Sequence, residues 1–266
     1  MNARKPLRLD RRRFLGLGAA SASSLVLAGC NQFDFLGRRD NEVRGVLEQA
    51  NALTYQAQRT LLGDDWLAPE FDASEIRQGQ RPNGSVDPTT DEYVALRDSE
   101  FADYRLEVGG LVDTPMQFSL DEIRNMPSRT QITRHDCVEG WSCIAKWTGT
   151  PLRGILDQVG VRPEARYVVF RCYDNIERSL AGDVLYYESC DLIDARHPQT
   201  ILAYGLNDAA LPVSNGAPLR VRIERQLGYK MAKYIRSIEL VSSFAQIEGG
   251  KGGYWEDRGY DWYAGI

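Results

Sequence analysis

Apolar side chains recur at helical spacing early in the chain, at Val43, Val46, Leu47, Ala50, Leu53, Ala57 and Leu61. Residues three and four apart share one helix face, so the stripe predicts a helix over residues 42–62, packed on the main domain. Gly63 is its stop. The pattern then breaks: residues 69–90 are rich in Pro, Gly, Asp and Ser and read as a long loop. Strict alternation returns at residues 104–108, a strand ending at Gly109-Gly110. Residues 118–122 read as a strand running into a helix, with Ser119 as N-cap, Glu122 completing a capping box and Pro127 closing the turn. Short strands are predicted at 130–133, 166–171, 219–223 and 235–241, and a helix at 152–159. Helices and strands mix without a βαβα rhythm, so the fold class is α+β.

Upstream of all this lies an apolar run, residues 14–28, directly after Arg11-Arg12-Arg13. It falls short of the roughly 20 residues of a membrane-spanning helix and reads as the core of a twin-arginine signal peptide. Asp10 stands where Ser or Thr is more usual. Leu27-Ala28-Gly29-Cys30 resembles a lipobox. Cys30 is then lipidated and becomes the mature N-terminus on a membrane surface; the alternative is a soluble protein cleaved nearby. The expected division is a signal peptide over 1–29, a tether, helix and loop over 30–81, and one domain over 82–266. The expected location is the periplasm, and the expected state is a monomer.

Removing residues 1–29 removes six basic side chains and one acid, which carries the net charge from −5 to −10. Such a surface repels nucleic acid. The remaining 237 residues suffice for a substantial core.

Candidate chemistry concentrates in residues 134–147, Arg-His-Asp-Cys-Val-Glu-Gly-Trp-Ser-Cys-Ile-Ala-Lys-Trp. A thiolate is a soft ligand for a redox metal, and aromatic walls keep water out. An arginine such as Arg134 would favour the Cys137 thiolate, or would simply pair with Asp136. Cys137 and Cys143 could instead form a disulfide, and a zinc site from His135, Cys137, Cys143 and His197 can be drawn, although Cys-x5-Cys is unusual zinc spacing. Trp141 and Trp147 read as core.

Cys137-Val138-Glu139 with Trp141 is followed in order by Trp147-Thr148-Gly149-Thr150-Pro151-Leu152. Then come Asn215-Gly216-Ala217-Pro218-Leu219-Arg220 and Gly228-Tyr229-Lys230 with Lys233. With these motifs the chain resembles the sulfite oxidase family of molybdenum enzymes, in particular its bacterial branch, which includes periplasmic methionine-sulfoxide reductases. The resemblance spans about residues 82–266. It implies a sulfite-oxidase-type molybdopterin-binding fold, with mixed sheets and peripheral helices. It also implies a molybdenum–molybdopterin cofactor with Cys137 as the protein's ligand to the metal. Glu139 would relay a proton or serve as a structural acceptor. The pterin ends in a phosphate, which calls for basic side chains and free backbone N–H groups. The resemblance gives that grip to Asn215, Arg220, Met231, Ala232 and Lys233. Asn83 is a further pterin contact, or an ordinary turn with Gly84. Cys172 stands where a threonine is commoner in the family, so its side chain is a doubtful match there and its backbone could serve instead. Arg222 and Arg225 are expected on a solvated strand face, and Lys230 outside the grip. The aromatic tail, from Gly249 to Tyr263, is either a wall of the pocket mouth or a segment docked for stability.

The activity implied is transfer of an oxygen atom to or from a small substrate, sulfite-like or an S- or N-oxide, cycling Mo(VI) and Mo(IV). A narrower alternative is a periplasmic protein-methionine-sulfoxide reductase. An alternative of another class is a non-catalytic exported binding or scaffold lipoprotein. No Cys-x-x-Cys-His haem site is present, so electrons would pass through a separate partner, a membrane haem protein or a periplasmic cytochrome. The immunoglobulin-like dimerisation domain of the larger sulfite oxidases is not expected after the lysine segment. The extra arginines that bind sulfite in true sulfite oxidases have no secure counterpart.

Overall fold

A computed structural model describes residues 42–178 and 182–266. The twin-arginine stretch, Cys30 and the tether over 31–40 lie outside the described residues. Of the two units into which the chain divides, Asn51–Ile266 carries the sheets and the site. No helix among the described residues is long and apolar enough to cross a membrane.

Helix α1 covers Glu42–Leu62, as its periodicity predicts. Its apolar stripe does not pack as expected: Leu53 is 67% exposed and Leu61 83%. The helix is held instead by its polar face. Arg59 reaches Asp191 at 2.9 Å and Asp194 at 2.8 Å, and the Tyr55 hydroxyl donates to Asp191 at 2.8 Å. Helix α2, Asp91–Asp98, follows the loop and buries Tyr93.

Strand β1, Arg105–Gly110, buries Leu106 and Val108 and exposes Arg105 and Glu107, so the alternation does fix the face. Strand β2, Met116–Ser119, runs into helix α3, Leu120–Asn125, through the expected capping box. The Glu122 N–H donates to Ser119 Oγ, and Glu122 Oε2 accepts from the Ser119 N–H at 2.7 Å. Such a cap contributes about 1 kcal/mol.

Two five-stranded sheets form. The first has the order β2-β1-β10-β5-β6, where β5 is Tyr167–Glu177, β6 is Val184–Asp191 and β10 is Ile235–Val241. Only its β1–β10 pair is parallel. The second has the order β3-β4-β7-β8, with β9 on β7. Here β3 is Arg129–Cys137, β4 Trp141–Pro151, β7 Ile201–Leu206, β8 Ala209–Ala210 and β9 Arg220–Arg222. Leu106, Phe170 and Ile238 from the first sheet meet Ile155 and Leu156 of helix α4, Leu152–Val159, in the main core. Each such buried side chain contributes roughly 1.5–3 kcal/mol. A second cluster gathers Trp147, Ile201, Ala203 and Leu206. The Trp147 ring lies 5.1 Å from the Arg220 guanidinium and 4.4 Å from that of Arg222.

Candidate functional site

The side-chain parity of β3 aims the cysteine. Gln131, Thr133 and His135 are its buried residues, and Cys137 shares their face at the strand's end. The strand turns at Gly140, whose N–H donates to the Cys137 carbonyl at 3.0 Å, and returns as β4 with Trp141 opposite Cys137. The Cys137 thiol is half-buried on the wall of a cleft of about 720 Å³, counting its solvent-open part. Burial pushes this thiol up, against a Glu139 backbone N–H that favours the thiolate.

Behind the cysteine the polar groups interlock. His135 is fully buried, and Arg222 Nη1 stands 2.9 Å from its Nδ1. A guanidinium only donates, so Nδ1 accepts and the ring carries its hydrogen on Nε2. Burial, and then the Arg222 charge, hold the ring neutral. Arg222 forks onto Glu224 at 2.9 and 2.7 Å, and Gln131 donates to the same carboxylate at 2.8 Å. Gly228 leaves room for the ring: a Cβ there would lie 2.4 Å from His135 Cε1.

The cationic grip forms beside this. Arg220 Nη1 donates to the Asn215 carbonyl at 3.1 Å, and its Nη2 to Asn83 Oδ1 at 3.2 Å and the Met231 carbonyl at 3.4 Å. The guanidinium lies 5.1 Å from the Trp147 ring. Lys233 Nζ donates to the Asn83 carbonyl at 2.6 Å and to the carbonyls of Ser85 and Ser214. Gly216, at φ +117°, carries the chain between them; a Cβ there would meet Lys233 Cβ at 3.0 Å and Arg220 Cβ at 3.1 Å. Asn83, Asn215, Arg220, Met231 and Lys233 therefore converge, with Ala232 buried between the last two.

Among the described residues both cations bond only to neutral oxygens. Burial, with the Arg222 charge next, pulls Arg220 down to about 9. Burial, with the Arg220 charge next, pulls Lys233 down to about 7. Two buried like charges without a bonded carboxylate suit an anion such as the pterin phosphate. A thiol shares their cleft. The residues present fit the group.

Cys172 is not on the cleft wall. It is buried in the core on β5, opposite Ile235, and the wall there is formed by Asp174 and Ile176. One Asp174 oxygen is buried without a hydrogen-bond partner, and burial pushes its carboxyl up. Glu139 lines the cleft with a side chain 58% exposed, and accepts from Trp141 Nε1 at 2.9 Å. Trp141 is only half-buried, against Arg81 and His135, so it is not core; Trp147 is. Arg134 pairs with Asp136 at 2.8 Å and leaves the thiol alone.

Arg222 and Arg225 are buried, not solvated, because each meets a buried carboxylate; Arg225 reaches Asp194 at 2.5 Å. Lys230 lies outside the grip, 2.5 Å from both Glu188 and Glu256. Cys137, Cys143, Cys172 and Cys190 are free thiols, which removes the disulfide. Among the described residues no group of three or more His, Cys, Asp or Glu could hold a metal, which removes the zinc site.

The sequence reading missed Asp174, Ile176 and Tyr186, since nothing in their local pattern marks a wall. Tyr229 lines the cleft too, and the tail does both things considered for it. It is docked, and its Trp255 and Tyr260 line the cleft.

The profile of the oxidoreductase molybdopterin-binding domain matches residues 93–246. The putative protein-methionine-sulfoxide reductase subunit YedZ1 of Azospira oryzae is 36% identical over 255 residues, 96% of this chain and 87% of that protein. The protein-methionine-sulfoxide reductase catalytic subunit MsrP of Xanthomonas axonopodis is 34% identical over 163 residues, 59% of this chain. The match spans about half of that relative's length, 51%. The sulfane dehydrogenase SoxCD of Paracoccus pantotrophus superposes with a TM-score of 0.46 at 21% identity, over 53% of this chain and 39% of that one. The chain belongs to the oxidoreductase molybdopterin-binding domain family and is a molybdenum–molybdopterin-dependent oxidoreductase.

Proposed function

We propose that the enzyme reduces S-oxides, and that its substrate is methionine sulfoxide carried in exported proteins. The observation that carries this is the chemistry of the cleft around Cys137. Apart from Lys233, which belongs to the anion grip, its wall presents no cation among the described residues. Val138, Ile176, Tyr186, Tyr229, Trp255 and Tyr260 give it an apolar, aromatic surface. A compact oxyanion such as sulfite finds no second cation there, whereas the methyl and methylene groups of a sulfoxide find contact. The names of the relatives from Azospira and Xanthomonas agree with this reading.

In this account Cys137 would hold the metal, and Arg220, Lys233, Asn83, Asn215 and the backbone over Met231–Ala232 would hold the pterin and its phosphate. The bound molybdenum centre supplies two-electron oxygen-atom transfer. The Arg222–His135 pair props the strand that presents Cys137 and keeps water from its inner side. Glu139, open to solvent on the cleft wall, would pass protons inward. Overall one S–O bond breaks, and the oxygen leaves as water with two protons and two electrons, the thioether remaining. The electrons come from a separate haem-type partner.

Arg11-Arg12-Arg13 and Leu27-Ala28-Gly29-Cys30 support export of the folded protein by the twin-arginine route and a lipid on Cys30 at the periplasmic membrane surface. The test is dye-coupled turnover of purified holoenzyme with a methionine-oxidised polypeptide, dimethyl sulfoxide and sulfite in parallel. Reduction of the first two with no sulfite oxidation is expected. Sulfite oxidation alone would overturn the reading.

A further inference from the structure

We propose that Trp255 and Tyr260 of the C-terminal tail form the wall that selects the substrate, taking the apolar arm of an S-oxide borne on a polypeptide. The proposal rests on the S-oxide reading above.

The tail lies beyond the residues that the family profile matches, 93–246. Its wall therefore lies outside the part of the chain that the profile covers. The wall is built, not draped. The Tyr260 N–H donates to the Trp255 carbonyl at 3.0 Å, closing a tight loop that stacks the two rings at 5.2 Å and 27°. Tyr229 sets its ring edge-on to Tyr260 at 5.2 Å, and its hydroxyl donates to the Asp261 carbonyl at 2.7 Å. The Tyr254 N–H bonds the Tyr187 carbonyl on β6 at 3.0 Å. Between Trp255 and Tyr260 in sequence, Glu256 is buried against Lys230.

The result is a preformed aromatic surface that loses little conformational freedom on binding. Thioether and methylene groups pack well against ring edges and faces. The surface is also uncharged. The carboxylate of a free amino acid gains no partner on it, whereas the neutral amides that flank a residue within a chain need none. The wall thus favours a sulfoxide presented on a peptide over a free amino acid or a bare dialkyl sulfoxide.

The experiment compares Trp255→Ala, Tyr260→Ala and Trp255→Phe holoenzymes with the wild type. One arm measures dye-coupled kcat and KM for an unstructured peptide with one methionine sulfoxide, and for dimethyl sulfoxide. A second arm measures the Kd of the same peptide by calorimetry without reductant, where no turnover occurs. For the alanine variants the peptide Kd and KM should rise on the order of 3- to 10-fold, as expected for losing one aromatic contact. The peptide-to-dimethyl-sulfoxide ratio of kcat/KM should fall to match, and Trp255→Phe should restore most of it. An unmoved ratio with unmoved peptide Kd overturns the wall while the S-oxide reading stands. A wild-type holoenzyme that reduces neither S-oxide overturns both.

Discussion

Arg222 Nη1 and His135 Nδ1 stand 2.9 Å apart in a fully buried environment, two residues along the strand from Cys137. The pair ties β9 to β3 and so fixes the strand that carries Cys137. Arg222→Met would leave the Glu224 carboxylate buried with Gln131 as its remaining partner. A loss of about 3–5 kcal/mol is expected for such an orphaned charge, read as a shift of the urea midpoint at unchanged slope. A loss under about 1 kcal/mol would show that the pair holds nothing.

Lys233 makes the opposite kind of prediction. Its ammonium is pulled from a lysine's ordinary 10.5 to about 7. The unfolded chain therefore holds a proton there between pH 7 and 10.5 that the folded cofactor-free chain does not. Unfolding binds protons in that window, so the site's contribution to stability rises with pH and is least favourable below 7. Cofactor-free Lys233→Met should be more stable than cofactor-free wild type at pH 6, with the gap narrowing by pH 9. The same variant should retain much less pterin. Thermal melts at the two pH values, with pterin fluorescence after denaturation, check both halves.

The tail's anchor separates charge balance from contact. Lys230 is held up at about 12, the two carboxylates outweighing burial, while burial and then Glu256 push Glu188 well up. One ammonium against two buried carboxylates leaves a charge too many. Glu256→Gln leaves one of each and should cost less than about 1 kcal/mol. Lys230→Met leaves two carboxylates and should cost about 3–5 kcal/mol and free the tail, seen as a red shift of Trp255 and Trp262 fluorescence.

Arg59 gives a local test. It bridges Asp191 and Asp194, and it is the main polar tie of helix α1 to the sheet side of the unit. Arg59→Met should open the helix over residues 51–62 to protease and hydrogen exchange, at a cost of about 1–3 kcal/mol. The other strands should keep their protection.

Much of the site was legible because its parts are local. Asn215, Gly216 and Arg220 lie within six residues, and Met231 to Lys233 within three, so a linear motif captures the grip. The capping box at Ser119 and Glu122 is local for the same reason. The cleft wall was not legible, because Asp174, Tyr186 and Trp255 meet only through sheet pairing and tail docking. Strands β6 and β7 escaped because they are buried on both faces and lack alternation. The arginines misled for a related reason. Arg222 and Arg225 look like a solvated face until Glu224 and Asp194 are seen beside them. Helix α1 shows the converse, since its apolar stripe gave the correct helix but the wrong buried face.

The most direct test is molybdenum per chain in protein purified from a molybdenum-sufficient host, beside a Cys137→Ala control. The account predicts close to one metal per wild-type chain with a reducible visible spectrum, and loss of that spectrum with most of the metal in the control. A well-folded wild type with no molybdenum, or a control that keeps both metal and spectrum, would contradict the place given to Cys137.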